Sequence, residues 1–137
     1  MNINLKILRW LLLAGSIYFF LVAVFHFLGI KIPPFFIYFN VQSYAYQDRI
    51  ISFLAFGWSV FLFTAFSKPI NNKMLIQAVL FAGFGAIIGL EIINLTTEFD
   101  SFPNLINPII FRLETLGFAI YLVLLTILFN KSKVQLK

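Results

Sequence analysis

The chain has 137 residues, of which 61% are hydrophobic and 11% charged, and it contains no cysteine; its mean hydropathy is +0.97. Such values exclude an ordinary water-soluble domain, because too few polar residues remain to cover a surface facing water. The net charge of +5 does not indicate nucleic acid as a partner either, since the basic residues are short flanks beside apolar runs rather than a patch on a polar face.

Without cysteine there are no disulfides, thiolate zinc sites, iron–sulfur clusters or cysteine nucleophiles. His26 stands alone, so bis-histidine haem ligation and His-rich transition-metal sites lack donors. That leaves carboxylates alone for a hard cation, and neither a metal nor a cofactor is expected.

In chain order, four apolar segments come close to the ~20 residues that a helix needs to cross ~30 Å of hydrocarbon. They run over about 8–30, 44–66, 73–95 and 108–130. Their ends carry ordinary punctuation: Gly29 with Pro33 and Pro34 after the first, Lys68 and Pro69 after the second, Asn71 or Asn72 before the third, and Asn107 ahead of Pro108 for the fourth. The expected fold is an all-α integral membrane protein, one four-helix transmembrane bundle over residues 1–137. Lys6 and Arg9 before an apolar run also resemble the start of a signal peptide. The run is about twice a signal core in length, however, and ends in Phe25, His26 and Phe27 rather than small residues, so a retained span is expected.

Orientation follows from the basic residues, which are retained on the cytoplasmic side. Seven (Lys6, Arg9, Lys68, Lys73, Lys131, Lys133, Lys137) fall on the side of the termini and three (Lys31, Arg49, Arg112) on the other. Both termini are therefore expected in the cytoplasm, in a plasma membrane of bacterial inner-membrane type. All five acids, Asp48, Glu91, Glu98, Asp100 and Glu114, then lie on or near the outer side together with His26.

Ionisable groups within hydrocarbon cost several kcal/mol and tend to face a bundle interior, a cavity or a partner charge. At 1.5 Å per residue, His26, Glu91, Arg112 and Glu114 sit roughly 6–9 Å below the outer helix ends, with Asp48 and Arg49 at the mouth of the second helix. At 100° per residue, Asp48, Ser52, Ala55 and Ser59 share an arc of about 60° and should pack inward. Ser16, Ala23 and His26 share a looser one. On the fourth helix Arg112 shares a face with Thr115, Ala119 and Thr126, and Glu114 lies nearly opposite, so Arg112 is expected to face the centre. The third helix has two protein-like faces: a small-residue stripe of Ala78, Ala82, Gly85, Ala86 and Gly89, and a polar one with Glu91 and Asn94.

The segment 31–43, with Pro33, Pro34, Phe35, Phe36, Tyr38 and Phe39, is aromatic, external and too short to span. It reads as an interfacial aromatic belt, with a lid over the helix ends as the alternative. Asn94-Leu95-Thr96 matches a glycosylation sequon, but it abuts the bilayer.

No P-loop, nucleophile elbow, HExxH or CxxC occurs, so enzyme status stays open. The residues that would carry chemistry are His26, Glu91 and Asp48, expected in one outer cluster with Arg112. Arg49, Arg112, Glu114 and Tyr46 are the candidates to hold a ligand, and Gly85, Gly89 and Ala82 to pack helices. The expected function is binding of a membrane lipid or other hydrophobic small molecule in an outer-leaflet polar pocket, with acid–base chemistry on it as an option. The alternative is a noncatalytic subunit of a larger membrane complex, docking on itself or another subunit through the small stripe of the third helix. A small transporter is weaker, because no helix is broken by an internal proline and the inner half lacks acids.

Overall fold

A computed structural model of the chain describes residues 3–39, 41–99 and 108–134. Four helices, α1 (Ile3–Leu28), α2 (Ala45–Ser67), α3 (Lys73–Thr96) and α4 (Pro108–Val134), make up its regular structure, with no strand among the described residues. Each is long and apolar enough to cross a membrane. Asp100, Asn107 and Lys137, named above among the outer acids, as the cap of the fourth helix and among the basic residues, lie outside the described residues.

The helix ends follow from local chemistry. Gly29 adopts φ +69°, a left-handed conformation that costs glycine little. There its N–H bonds to the His26 carbonyl while that of Ile30 bonds to the Phe25 carbonyl, the pairing of a Schellman motif. Asn72 holds the N-cap position of α3 without capping it; its side-chain amide instead donates to the Thr64 carbonyl near the end of α2, at 2.8 Å. Helices α1 and α4 run several residues past their expected limits, because the lysine- and arginine-bearing turns at those ends continue the helix beyond its apolar core.

The helices form a ring in which α1 packs most extensively on α2, α4 joins α3 to α1, and α2 meets α3 only thinly. Reciprocal bonds clamp the first pair. Ser16 Oγ donates to the Ser59 carbonyl and Ser59 Oγ to the Ser16 carbonyl, each at 2.9 Å and buried. Gly15 permits a second close approach, since a Cβ there would collide with the Tyr121 hydroxyl, which donates to the Leu11 carbonyl across α1 and α4.

The two halves of the bundle differ. Towards the termini, Leu8, Leu12, Leu62, Ile76, Leu125 and Phe129 make a solid core. Towards the other end, where α1 leads into α2 and α3 into α4, cavities replace it. Much of the outer circumference is bare apolar surface, including Phe53, Leu54, Phe81 and Ile88, a covering suited to hydrocarbon rather than water.

The α3 stripe lies on that circumference. Ala78, Ala82, Gly85 and Ala86 are exposed and Gly89 partly so, with no neighbouring atom within 4 Å of a Cβ built at Gly85 or Gly89. Gly85 and Gly89 thus do not pack helices within the bundle, while Ala86 also borders a small space beside Tyr121 and Leu122; the inward face of α3 is Ile76, Val79, Leu80 and Asn94, with Gly83 close against Leu122.

Candidate functional site

The described residues of the 31–43 segment fold down onto the helix ends rather than trailing along them. Phe36 is buried and stacks on the His26 ring, with centroids 3.8 Å apart. Phe35 stacks on Phe25, and the Tyr18 hydroxyl donates to the Pro34 carbonyl at 2.7 Å. On the far side Tyr38 and Phe39 pack against Phe111, which also contacts Phe99. The aromatic loop is a lid.

Beneath it lies a cavity of about 590 Å³, within the size range of small-molecule sites. Its walls are almost wholly apolar, including Phe19, Val22, Ala55, Trp58 and Leu90, and its polar groups are His26, Asp48 and Ser43 together with Tyr18, Tyr38 and Thr97. Ile51 and Leu54 of α2 and Ile93 of α3 line it while also being exposed on the bundle surface. The cavity lining thus reaches the bundle surface on the side of α2 and α3, which meet only thinly. A smaller space of about 150 Å³ shares Phe19, Trp58, Leu90 and Phe118 and extends it towards the solid half.

His26 and Asp48 arrive from different helices on the inward arcs of α1 and α2, with Ser16, Ala23, Ser52, Ala55 and Ser59 buried alongside. His26 Nδ1 lies 3.9 Å from Asp48 Oδ1, with relative exposures of 7% and 4% for the two residues. Both atoms are buried and neither has a hydrogen-bond partner among the described residues. Asp48 Oδ2 accepts from Ser43 Oγ at 2.8 Å, and Ser43 Oγ accepts from Lys31 Nζ at 2.6 Å. Lys31 also donates to the Val41 carbonyl and lies over the Phe36 ring. A cation therefore reaches the buried carboxylate through one hydroxyl.

A second polar string holds the opposite wall. Tyr38 donates to Asn94 Oδ1 at 3.1 Å, Asn94 Nδ2 donates to Thr115 Oγ1 at 3.2 Å, and Thr115 Oγ1 donates to the Phe111 carbonyl. Burial, with the nearby charges of Glu91 and Glu114, raises the Tyr38 hydroxyl above the ordinary tyrosine pKa of 10.0.

The expected four-residue cluster is thus divided. His26 and Asp48 come together, but Glu91 is only half-buried and does not line the cavity. Arg112 is exposed rather than central. The inward face of α4 is Phe111, Thr115, Leu122 and Leu125; Arg112 lies about 60° off Thr115, and its long side chain leaves by the flank. Glu114 is the half-buried member of that pair. Its Oε2 is buried without a hydrogen-bond partner among the described residues, and it lines a separate space of about 350 Å³ between α1 and α4 with Gly15, Gly117 and Tyr121. Arg49 is exposed, and so is Tyr46, which stacks on Tyr44 at the rim. Neither reaches the main cavity.

Lys31, Ser43 and Asn94 escaped the sequence reading as site residues. Asn94 was visible in principle, because it continues the inward spacing of Ile76, Leu80, Ile87 and Leu90. Lys31 and Ser43 were not, since their meeting depends on how the loop folds. Among the described residues no group of three or more His, Asp or Glu side chains could hold a metal ion. No family model matches the chain, and no curated protein or solved structure matches it. Fold and site define a helical protein with four candidate membrane spans and a lidded cavity at one end, its lining reaching the bundle surface at α2 and α3.

Proposed function

We propose that this is a multi-pass membrane protein that binds a lipid or other hydrophobic small molecule in the cavity beneath its aromatic lid. The observation that carries this reading is an apolar, roughly 590 Å³ chamber whose lining reaches the bundle surface at α2 and α3 and whose lid end holds a buried His26–Asp48 pair. A ligand already dissolved in the bilayer enters between α2 and α3 without crossing water, leaves its apolar part against Phe19, Val22 and Trp58, and carries its polar end to the pair. The seven-to-three distribution of Lys and Arg supports cytoplasmic termini, with the lid and cavity in the outer leaflet of a plasma or bacterial inner membrane. Acid–base work on the ligand would fall to His26 with Asp48.

Native mass spectrometry of the detergent-solubilised protein, incubated with single-chain lipids, tests this reading. The wild type should retain one ligand, and Val22→Phe, which fills the cavity, should lose it while remaining folded. Equal retention by both proteins, or none by the wild type, contradicts the reading.

A further inference from the structure

We propose that the cavity selects an uncharged alcohol as its polar head, held as a bridge between His26 Nδ1 and Asp48 Oδ1. This rests on the reading of the cavity as a ligand site and specifies the ligand's chemistry.

The argument is one of donors and acceptors. An ammonium has no acceptor, so Ser43 Oγ accepts from Lys31 and gives its own proton to Asp48 Oδ2. One carboxylate oxygen is thereby occupied, and the other faces His26 Nδ1 across 3.9 Å. That distance is too long for a direct hydrogen bond. The facing carboxylate favours the imidazole tautomer with its proton on Nδ1, leaving one donor and one acceptor, both buried and without a partner among the described residues. An oxygen about 2.8 Å from each, set off the line joining them, completes both bonds at ordinary length. A single hydroxyl satisfies both at once, donating to Asp48 and accepting from His26, and an alcohol thereby replaces a water molecule that could bridge the same two atoms.

Charge excludes the other heads. A carboxylate or phosphate would confront the open oxygen of Asp48, and neither Arg49 nor Arg112 lines the cavity to offset that repulsion. A cationic head would meet a carboxylate whose charge Lys31 already balances through Ser43. An ether accepts from His26 but leaves Asp48 Oδ1 unsatisfied, a loss expected when a buried polar atom goes unpaired. The cavity's size also favours one alkyl chain or fused ring system over a two-chain lipid.

The test is competition in native mass spectrometry of the full chain between hexadecan-1-ol, its methyl ether, hexadecanoate and hexadecylammonium. The alcohol should be retained at least about tenfold over each of the others. Asp48→Asn, which removes the charge and supplies an amide donor, should shift the preference towards hexadecanoate. Retention of the ether or of hexadecanoate equal to the alcohol by the wild type overturns the alcohol assignment while leaving the cavity a ligand site. Retention of none of the four overturns the ligand-site reading as well.

Discussion

His26 Nδ1 and Asp48 Oδ1 face each other at 3.9 Å beneath the Phe36 ring, while the second oxygen of Asp48 is tied through Ser43 to Lys31. The loop cation and the helix carboxylate thus support one another. Lys31→Met should destabilise the protein, and adding Asp48→Asn should recover part of the loss. A double-mutant cycle of unfolding free energies is expected to give a coupling of about 1–3 kcal/mol, whereas simple additivity would remove Lys31 from the site.

The reciprocal pair Ser16–Ser59 makes a second coupling, set in the tightest helix contact of the bundle. Hydrogen bonds between membrane helices contribute about 0.6 kcal/mol on average and up to about 1.7. Ser16→Ala and Ser59→Ala should each lower stability, and the double variant should lose less than the sum. Unfolding in mixed micelles of increasing denaturing detergent measures it.

Two glycines separate bundle packing from an open surface. A methyl at Gly15 meets the Tyr121 hydroxyl and the Leu62 side chain, while Gly85 has free space. Gly15→Ala should cost about 1–3 kcal/mol by displacing Tyr121 from the Leu11 carbonyl, and Gly85→Ala should be neutral or stabilising by up to about 1 kcal/mol. A loss at Gly85 in the detergent-solubilised monomer would show that the α3 stripe packs within the bundle after all.

The Tyr38 hydroxyl, raised by burial and by Glu91 and Glu114, holds its proton to higher pH in the folded protein than in the unfolded chain. Its contribution is therefore complete below the ordinary value of about 10 and is lost as pH rises through the folded one. Wild-type minus Tyr38→Phe difference absorbance should show the corresponding phenolate forming above pH 10. Formation at or below 10 would indicate that the Tyr38–Asn94 string is open to water.

Much of the helical frame was legible because it depends on local spacing. Asp48, Ser52, Ala55 and Ser59 recur at three and four residues and are all buried, and Gly29 ends α1 where its freedom of φ is needed. The choice between Arg112 and Glu114 failed because small companions such as Thr115 and Ala119 describe a face only to within about 60°, and a long cationic side chain on its edge escapes outward. The lid was the alternative to the aromatic belt, and the spacing could not decide between them. Its seats on His26, Phe25 and Phe111 join residues far apart in sequence, and no periodicity in 31–43 announces them. The expected belt rested on composition, which aromatic belts and aromatic lids share.

Topology has its own test in a chain without cysteine. Gln42 and Asn71 are exposed on opposite loops, and the basic-residue count puts Gln42 outside. In intact cells an impermeant thiol reagent should label Gln42→Cys and spare Asn71→Cys; the reverse pattern would invert the orientation.

The central claim, that the lidded chamber takes up a ligand from the bilayer, is tested most directly by the chain's two tryptophans. Trp58 lines the cavity, whereas Trp10 is 61% exposed on the first turns of α1. A brominated single-chain alcohol should be titrated into bilayers holding Trp10→Phe or Trp58→Phe protein and followed by fluorescence. Trp58 emission should quench saturably and recover when the unbrominated alcohol is added, while Trp10 should quench in simple proportion to the quencher, without saturation or recovery. Equal, unsaturable quenching of both tryptophans would contradict a ligand-binding chamber.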